Sequence, residues 1–144
     1  MSDKNLFEVE VNYTYTGNPE VVYSAWLNEQ LARQWFAPGL GETEPVEIAA
    51  EVGGRFCIVQ VRDGQPVSHH GEYLTLDQPY LISFTWAMDD MEDVDTVTIH
   101  IKPAGGGSAV RLVHQMDETW KDYADRTREA WLGMMQQMDE LISR

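Results

Sequence analysis

TWKDYADRTREAWLGMMQQMDELI, residues 119–142, has the spacing of a helix. Trp120, Tyr123, Ala124, Thr127, Ala130, Trp131, Met134, Met138, Leu141 and Ile142 recur at intervals of three and four, which makes one apolar helix face. Lys121, Asp122, Asp125, Arg128, Glu129, Gln136, Asp139 and Glu140 fill the other side, and no proline interrupts the run. A helix of that extent is on the order of 35 Å long. That is enough to cross about seven strands spaced roughly 4.8 Å apart. The fold therefore turns on whether the rest of the chain supplies such a sheet.

Alternation upstream supplies it. Residues 6–16 set Phe7, Val9, Val11, Tyr13 and Tyr15 against Glu8, Glu10, Asn12 and Thr14, a strand with one buried face. Asn18-Pro19-Glu20 predicts a helix start, with Asn as cap, Pro in the first turn and Glu at the positive end. Val22, Tyr23, Trp26 and Leu27 give that helix its apolar side. Asn28-Glu29 starts a second short helix carrying Leu31 and Trp35. It stops before Ala37-Pro38-Gly39, because the residue ahead of a proline is pushed out of helical geometry. Strands follow at 46–51, 55–62, 67–76, 80–88, 94–102 and 109–116. The turns between them are Gly53-Gly54, Asp63-Gly64, Asp77-Gln78-Pro79, the acidic tip Asp89-Asp90-Met91-Glu92-Asp93, and Gly105-Gly106-Gly107.

Successive strands joined by tight turns pair antiparallel, and one face must be covered. The expected class is α+β: a curved antiparallel sheet of about seven strands, two short helices after the first strand, and a long C-terminal helix across the sheet. A curved sheet and a straight helix do not meet everywhere. An apolar groove or cavity is expected between them, capped by the two short helices.

With 144 residues and no repeat or linker, a single domain over 1–144 is expected. The formal charge of −14 repels phosphate backbones and anionic lipid surfaces, so no nucleic-acid or membrane partner is expected. The same charge favours solubility and would steer a basic partner. There is no run long enough to span a membrane, the N-terminus lacks a signal-peptide core, and there is one cysteine, Cys57. A cytoplasmic location is the expectation.

Sites for chemistry are few. His69 and His70 are adjacent on a strand and point to opposite faces, so they cannot share a metal. With one cysteine and no helical histidine pair, zinc is not expected. The acidic stretch 89–95 lacks the central glycine and distal glutamate of a calcium loop and reads as a solvated hairpin tip. Gly105-Gly106-Gly107-Ser108 has no Gly-Lys-Ser/Thr ending, and Gly53-Gly54 has no helix after it, so neither is a phosphate or dinucleotide loop. No metal, no cofactor and no catalytic set is expected. His114 shares a strand face with Val110, Leu112 and Met116 and reads as a hydrogen-bonded core histidine. Its other reading is acid–base work with a nearby Tyr or Asp in a cyclase- or hydrolase-like enzyme. Arg55 would pair with a surface acid or grip a ligand carboxylate. Gly133 costs a helix about 1 kcal/mol against alanine. A close approach of strand or ligand explains it, or a tolerant surface position.

Several stretches together resemble a known family. They are Val22-Tyr23-Ser24-Ala25-Trp26-Leu27 running to Trp35-Phe36-Ala37-Pro38, Val52-Gly53-Gly54-Arg55-Phe56, Phe84-Thr85-Trp86, Val97-Thr98-Ile99, Leu112-Val113-His114, and Trp131 in the last helix. In that order they are similar to the activator of heat-shock protein 90 ATPase homologue-like family of the START-like (SRPBCC, helix-grip) superfamily. Tyr23 and Trp26 stand where tryptophan and leucine are more usual. The resemblance implies a lipid-transfer-like scaffold with a central cavity, and functions such as binding small apolar ligands, cyclising polyketides or stimulating a chaperone. The expected function is binding of a small apolar ligand between sheet and C-terminal helix. The expected lining is Phe56, Ile58, Phe84, Trp86, Leu112, His114, Trp131, Met134 and Met138. The alternatives are a protein-interaction module stimulating a chaperone ATPase, and the enzyme above. The chain is expected to be a monomer or weak homodimer.

Overall fold

The alternation becomes a sheet. A computed structural model of the chain describes residues 5–36, 42–88 and 94–143. The order is β1 (Leu6–Tyr15), α1 (Pro19–Leu27), α2 (Glu29–Trp35), β2 (Glu42–Ile48), β3 (Arg55–Arg62), β4 (Gln65–Asp77), β5 (Leu81–Met88), β6 (Asp95–Ala104) and β7 (Gly107–Asp117). A 3₁₀ turn (Glu118–Tyr123) leads into α3 (Ala124–Ile142). All neighbours are antiparallel, in the order β1-β7-β6-β5-β4-β3-β2. β1 and β2 are thus opposite edges of one curved sheet. The connection between them must traverse a face of that sheet, so α1 and α2 share that face with α3. The expected α2 stop at Ala37-Pro38-Gly39, the acidic tip 89–93 and the first four residues lie outside the described residues.

Local chemistry explains the boundaries. The Asn18 and Asn28 side chains accept hydrogen bonds from the Val21 and Leu31 N–H groups, each at 3.0 Å, and so start α1 and α2. Asp63 and Gly64 both have positive φ, 50° and 77°, the two-residue turn whose twist suits a hairpin. β2 lies upstream of the expected 46–51. It is an edge strand with a register shift between Thr43 and Val46, and Pro45 sits inside that shift, where no ladder N–H is needed.

Two buried rows cross the sheet in register. One is Val11, Leu112, Ile99 and Ile82; the other is Val9, His114, Val97, Phe84 and Tyr73. Each large apolar member contributes roughly 1.5–3 kcal/mol by leaving water. α3 closes this face with Trp131, Met134, Met135 and Met138. Its 19 residues span about 28 Å, close to the width of the seven strands at their usual spacing.

The helix starts later than its periodicity predicts. Trp120 and Tyr123, expected on the apolar face, belong to the 3₁₀ turn and are each 45% exposed. The Asp117 carboxylate accepts from the Thr119 N–H at 2.8 Å and starts that turn. With about three residues per turn, the winding rotates both rings away from the face that Trp131 occupies. Ala130 is exposed as well.

The far end of α3 is fastened to β1. Tyr13 Oη donates to Asp139 Oδ2 at 2.9 Å, and Tyr15 Oη to Met138 Sδ at 3.5 Å. Burial, the Asp139 hydrogen bond and that carboxylate's charge push the Tyr13 phenol up to about 12. Burial raises Tyr15 and Tyr73 as well. A phenol whose folded pKa exceeds its ordinary 10.0 supports the fold fully below that pH and loses its contribution as pH rises through the folded value. Stability should therefore be insensitive to these groups below about pH 10 and fall above it. In an alkaline titration followed by ultraviolet phenolate absorbance and circular dichroism, Tyr15 and Tyr73 should ionise only together with unfolding. Smooth ionisation of all six tyrosines in a folded chain would contradict this.

Gly133 meets nothing: a Cβ built there has no heavy atom within 4 Å. The tolerant reading holds, and neither a strand nor the gap requires the glycine. Gly133→Ala should raise the unfolding free energy by about 1 kcal/mol, measurable by urea unfolding.

Candidate functional site

Aromatic rings fill most of the space where the sheet bends away from α3. β3 contributes Phe56 and Ile58; β5 contributes Ile82, Phe84 and Trp86; α3 contributes Trp131. From the crossover come Trp26 and Leu27 on α1, and Trp35 with the following Phe36 at the end of α2. Ile48 on β2 and Tyr73 on β4 complete the ring around one remaining gap of about 30 Å³. A water molecule's share of the liquid is about that size, whereas small-molecule pockets hold roughly 300–1,000 Å³. The lining is tightly interlocked. Trp86 and Trp131 have ring centroids 5.2 Å apart, Trp26 and Trp35 are 5.3 Å apart, and Phe56 meets Phe84 edge to face at 5.3 Å and 85°. Leu27, Ile48 and Trp86 are partly exposed and form the mouth.

Of the nine residues the sequence points to, Phe56, Ile58, Phe84, Trp86 and Trp131 meet around the gap. Leu112, His114, Met134 and Met138 are buried but are not part of the lining. Trp26, Leu27, Trp35, Phe36, Ile48, Tyr73 and Ile82 were not among the expected residues. The helical ones carried a signal, because Trp26 and Trp35 are the large apolar residues of segments expected to cap the groove.

His114 is held from both sides. Trp131 Nε1–H donates to its Nδ1 at 2.9 Å, and an indole nitrogen can only donate. Nδ1 is therefore the bare nitrogen, and Nε2–H donates to Asp95 Oδ2 at 2.8 Å. Both partners are buried. Asp95 is thus not part of a solvated tip, as the acidic stretch 89–95 suggested. It shares strand parity with Val97, Ile99 and Ile101 and faces inward with them. The arrangement orients the Trp131 ring and leaves His114 no free nitrogen for a substrate proton. His69, also buried, donates from Nδ1 to the Ile58 carbonyl at 3.3 Å and packs on Phe36 and Trp86. Arg55 is exposed opposite Glu72 on the ladder, away from the gap.

A larger hollow of about 660 Å³ lies over the end of β1, β6 and β7, bordered by Asn12, Tyr80, His100, Lys102 and Arg111. It is open to solvent, and its Arg111 already pairs with Glu10 at 2.7 Å. Among the described residues no cluster of His, Cys, Asp and Glu is placed to hold a metal ion. No described helix is long and apolar enough to cross a membrane.

Residues 16–143 match the family model described as Activator of Hsp90 ATPase homolog 1-like protein. No curated protein matches the chain by sequence. Solved structures show the same fold. A Chromobacterium violaceum protein superposes with a TM-score of 0.86 at 22% identity, covering 95% of this chain and 98% of that one. A Nitrosomonas europaea protein gives 0.83 at 16% identity, covering 94% of each chain. The AHSA1-like protein from Aeromonas hydrophila gives 0.80 at 18%, covering 95% of this chain and 92% of that one.

Proposed function

For this chain, which belongs to the Activator of Hsp90 ATPase homolog 1-like family, we propose binding of a small apolar molecule in the gap between the sheet and α3. The observation that carries the proposal is the convergence of aromatic and aliphatic side chains from three helices and four strands on a space they do not fill. Binding sites for small molecules have that composition, apolar with few polar groups. Phe56, Ile58, Phe84, Trp86 and Trp131 make the contacts, joined by Trp26 and Trp35. Leu112, Met134 and Met138 are the wall behind, and His114 fixes the angle of Trp131. At about 30 Å³ the closed gap is too small for such a molecule, so binding opens it. The partly exposed mouth residues Leu27, Ile48 and Trp86 move first, and the methionines of α3 adapt behind them through their flexible thioether chains.

Thermal-shift screening of small apolar molecules tests this. Dose-dependent stabilisation by at least one class, weakened by Phe84→Ala beyond its effect on the unliganded chain, is expected. A complete absence of stabilisation across the screen would sink the proposal.

One observation favours a second reading. Trp120 and Tyr123 pack on each other at the surface, with ring centroids 5.6 Å apart, each 45% exposed. In a family described by activation of a chaperone ATPase, such a pair on an acidic chain suits a protein contact. Stimulation of an Hsp90 ATPase that disappears with Trp120→Ala would establish it, and no stimulation at any concentration would remove it.

A further inference from the structure

Two of the three buried tryptophans in the grip have partners for their indole N–H. Trp35 donates to the Ala25 carbonyl at 3.0 Å, and Trp131 to His114. Trp26 is 5% exposed, and its Nε1–H has no acceptor among the described residues. A buried donor without a partner is destabilising, and native structures rarely keep one without a reason. Trp26 also borders the unfilled gap. The unpartnered donor and the unfilled volume therefore meet at one residue.

We infer that the molecule taken by this gap carries one neutral acceptor oxygen, a ketone, ester or ether, on an apolar body, and that Trp26 Nε1–H donates to it. This rests on the gap being a ligand site. A free acid does not fit, because no lysine or arginine borders the gap and a carboxylate buried without a cation is strongly disfavoured. A resident water is the simplest rival. It needs two to four polar partners. The Trp35 and Trp131 donors are already engaged, which leaves the Tyr73 hydroxyl, on a residue that also borders the gap, as its second partner beside Trp26. A second rival is the face of Trp35, whose ring meets Trp26 at 67° and would accept a weak N–H···π contact.

Two isosteric probes separate these cases: acetophenone, which has the carbonyl, and α-methylstyrene, which has a methylene in its place. The five tryptophans give separate indole N–H resonances, and that of Trp26 is assigned through its contacts to the Trp35 and Trp131 rings. Acetophenone is expected to bind the wild-type chain about tenfold more tightly than α-methylstyrene. It should also shift the Trp26 indole proton downfield. In Trp26→Phe the preference should vanish, with the two probes bound equally. Equal affinities with an unmoved Trp26 resonance would overturn the assignment of the acceptor and leave the ligand site standing. The acceptor is equally overturned if the preference survives in Trp26→Phe, if the resonance keeps its contact to a water, or if it lies upfield over a ring and stays there. If neither probe binds either protein, the site itself is refuted along with its acceptor. The wild-type resonance decides the matter even where Trp26→Phe folds poorly.

Discussion

Trp131→Ala will destabilise the chain by about 5 kcal/mol. The ring is 3% exposed and packs on Trp86 at 5.2 Å, His114 at 6.0 Å and Trp26 at 6.1 Å. Truncating such a residue leaves a cavity, and that alone costs about 3–5 kcal/mol. His114 Nδ1 also loses its Trp131 donor, and an unsatisfied buried acceptor adds about 1–3 kcal/mol. For 144 residues the sum corresponds to a drop of about 15 °C in Tm. Trp131→Phe keeps most of the ring contact and removes the hydrogen bond, so its cost should be about half of that. Thermal unfolding followed by circular dichroism measures both. The space left in Trp131→Ala adjoins the existing gap, so added indole should recover part of the lost Tm, as apolar molecules do in engineered cavities. A loss below about 1 kcal/mol would mean that this ring does not hold the helix to the sheet.

Gly71→Ala should cost about 3 kcal/mol or more, for a different reason. Gly71 lies on β4 opposite Phe56, on the inward face with His69 and Tyr73. A Cβ there would overlap the Thr85 backbone oxygen on β5 and come within 2.7 Å of the Phe56 ring. The backbone oxygen cannot yield without shifting β5 itself, and the Phe56 ring would have to turn from its present place. Denaturant unfolding should report the loss, and the Phe56 ring resonances should shift. Gly133→Ala makes the control, because the same substitution in open space on α3 carries the opposite sign. Equal effects at the two positions would mean that backbone propensity rather than close packing sets both.

The contrast between those glycines shows where the sequence stops being legible. Local signals were sufficient for the frame. Asn18 and Asn28 announce their helices by capping chemistry, Asp63-Gly64 announces its hairpin by the φ it tolerates, and β1 announces its buried face by period two. Each signal acts within a few residues. Gly71 has no such signal, since its need for a bare Cα comes from the Thr85 carbonyl of the neighbouring strand, 14 positions away. Trp120 and Tyr123 fit the periodicity of α3 and lie outside it, because a 3₁₀ turn changes the angle per residue without changing composition. Asp95 was obscured by the acids before it, although its parity with Val97 and Ile99 already pointed inward. The gap was half visible. Phe56, Ile58, Phe84, Trp86 and Trp131 could be read from strand and helix faces. Trp26, Trp35 and Phe36 reach it only because the crossover from one sheet edge to the other passes over that face. That consequence of strand order follows from no single stretch.

The most direct measurement is an isotope-filtered NOE experiment on the labelled chain with unlabelled acetophenone. Intermolecular NOEs from the probe to the ring protons of Phe84, Trp86, Trp131 and Trp26 are predicted, with the closed gap of about 30 Å³ opened around it. NOEs confined to exposed side chains such as Tyr80 or Trp120, or none at saturating probe, would contradict a grip that opens to hold an apolar molecule.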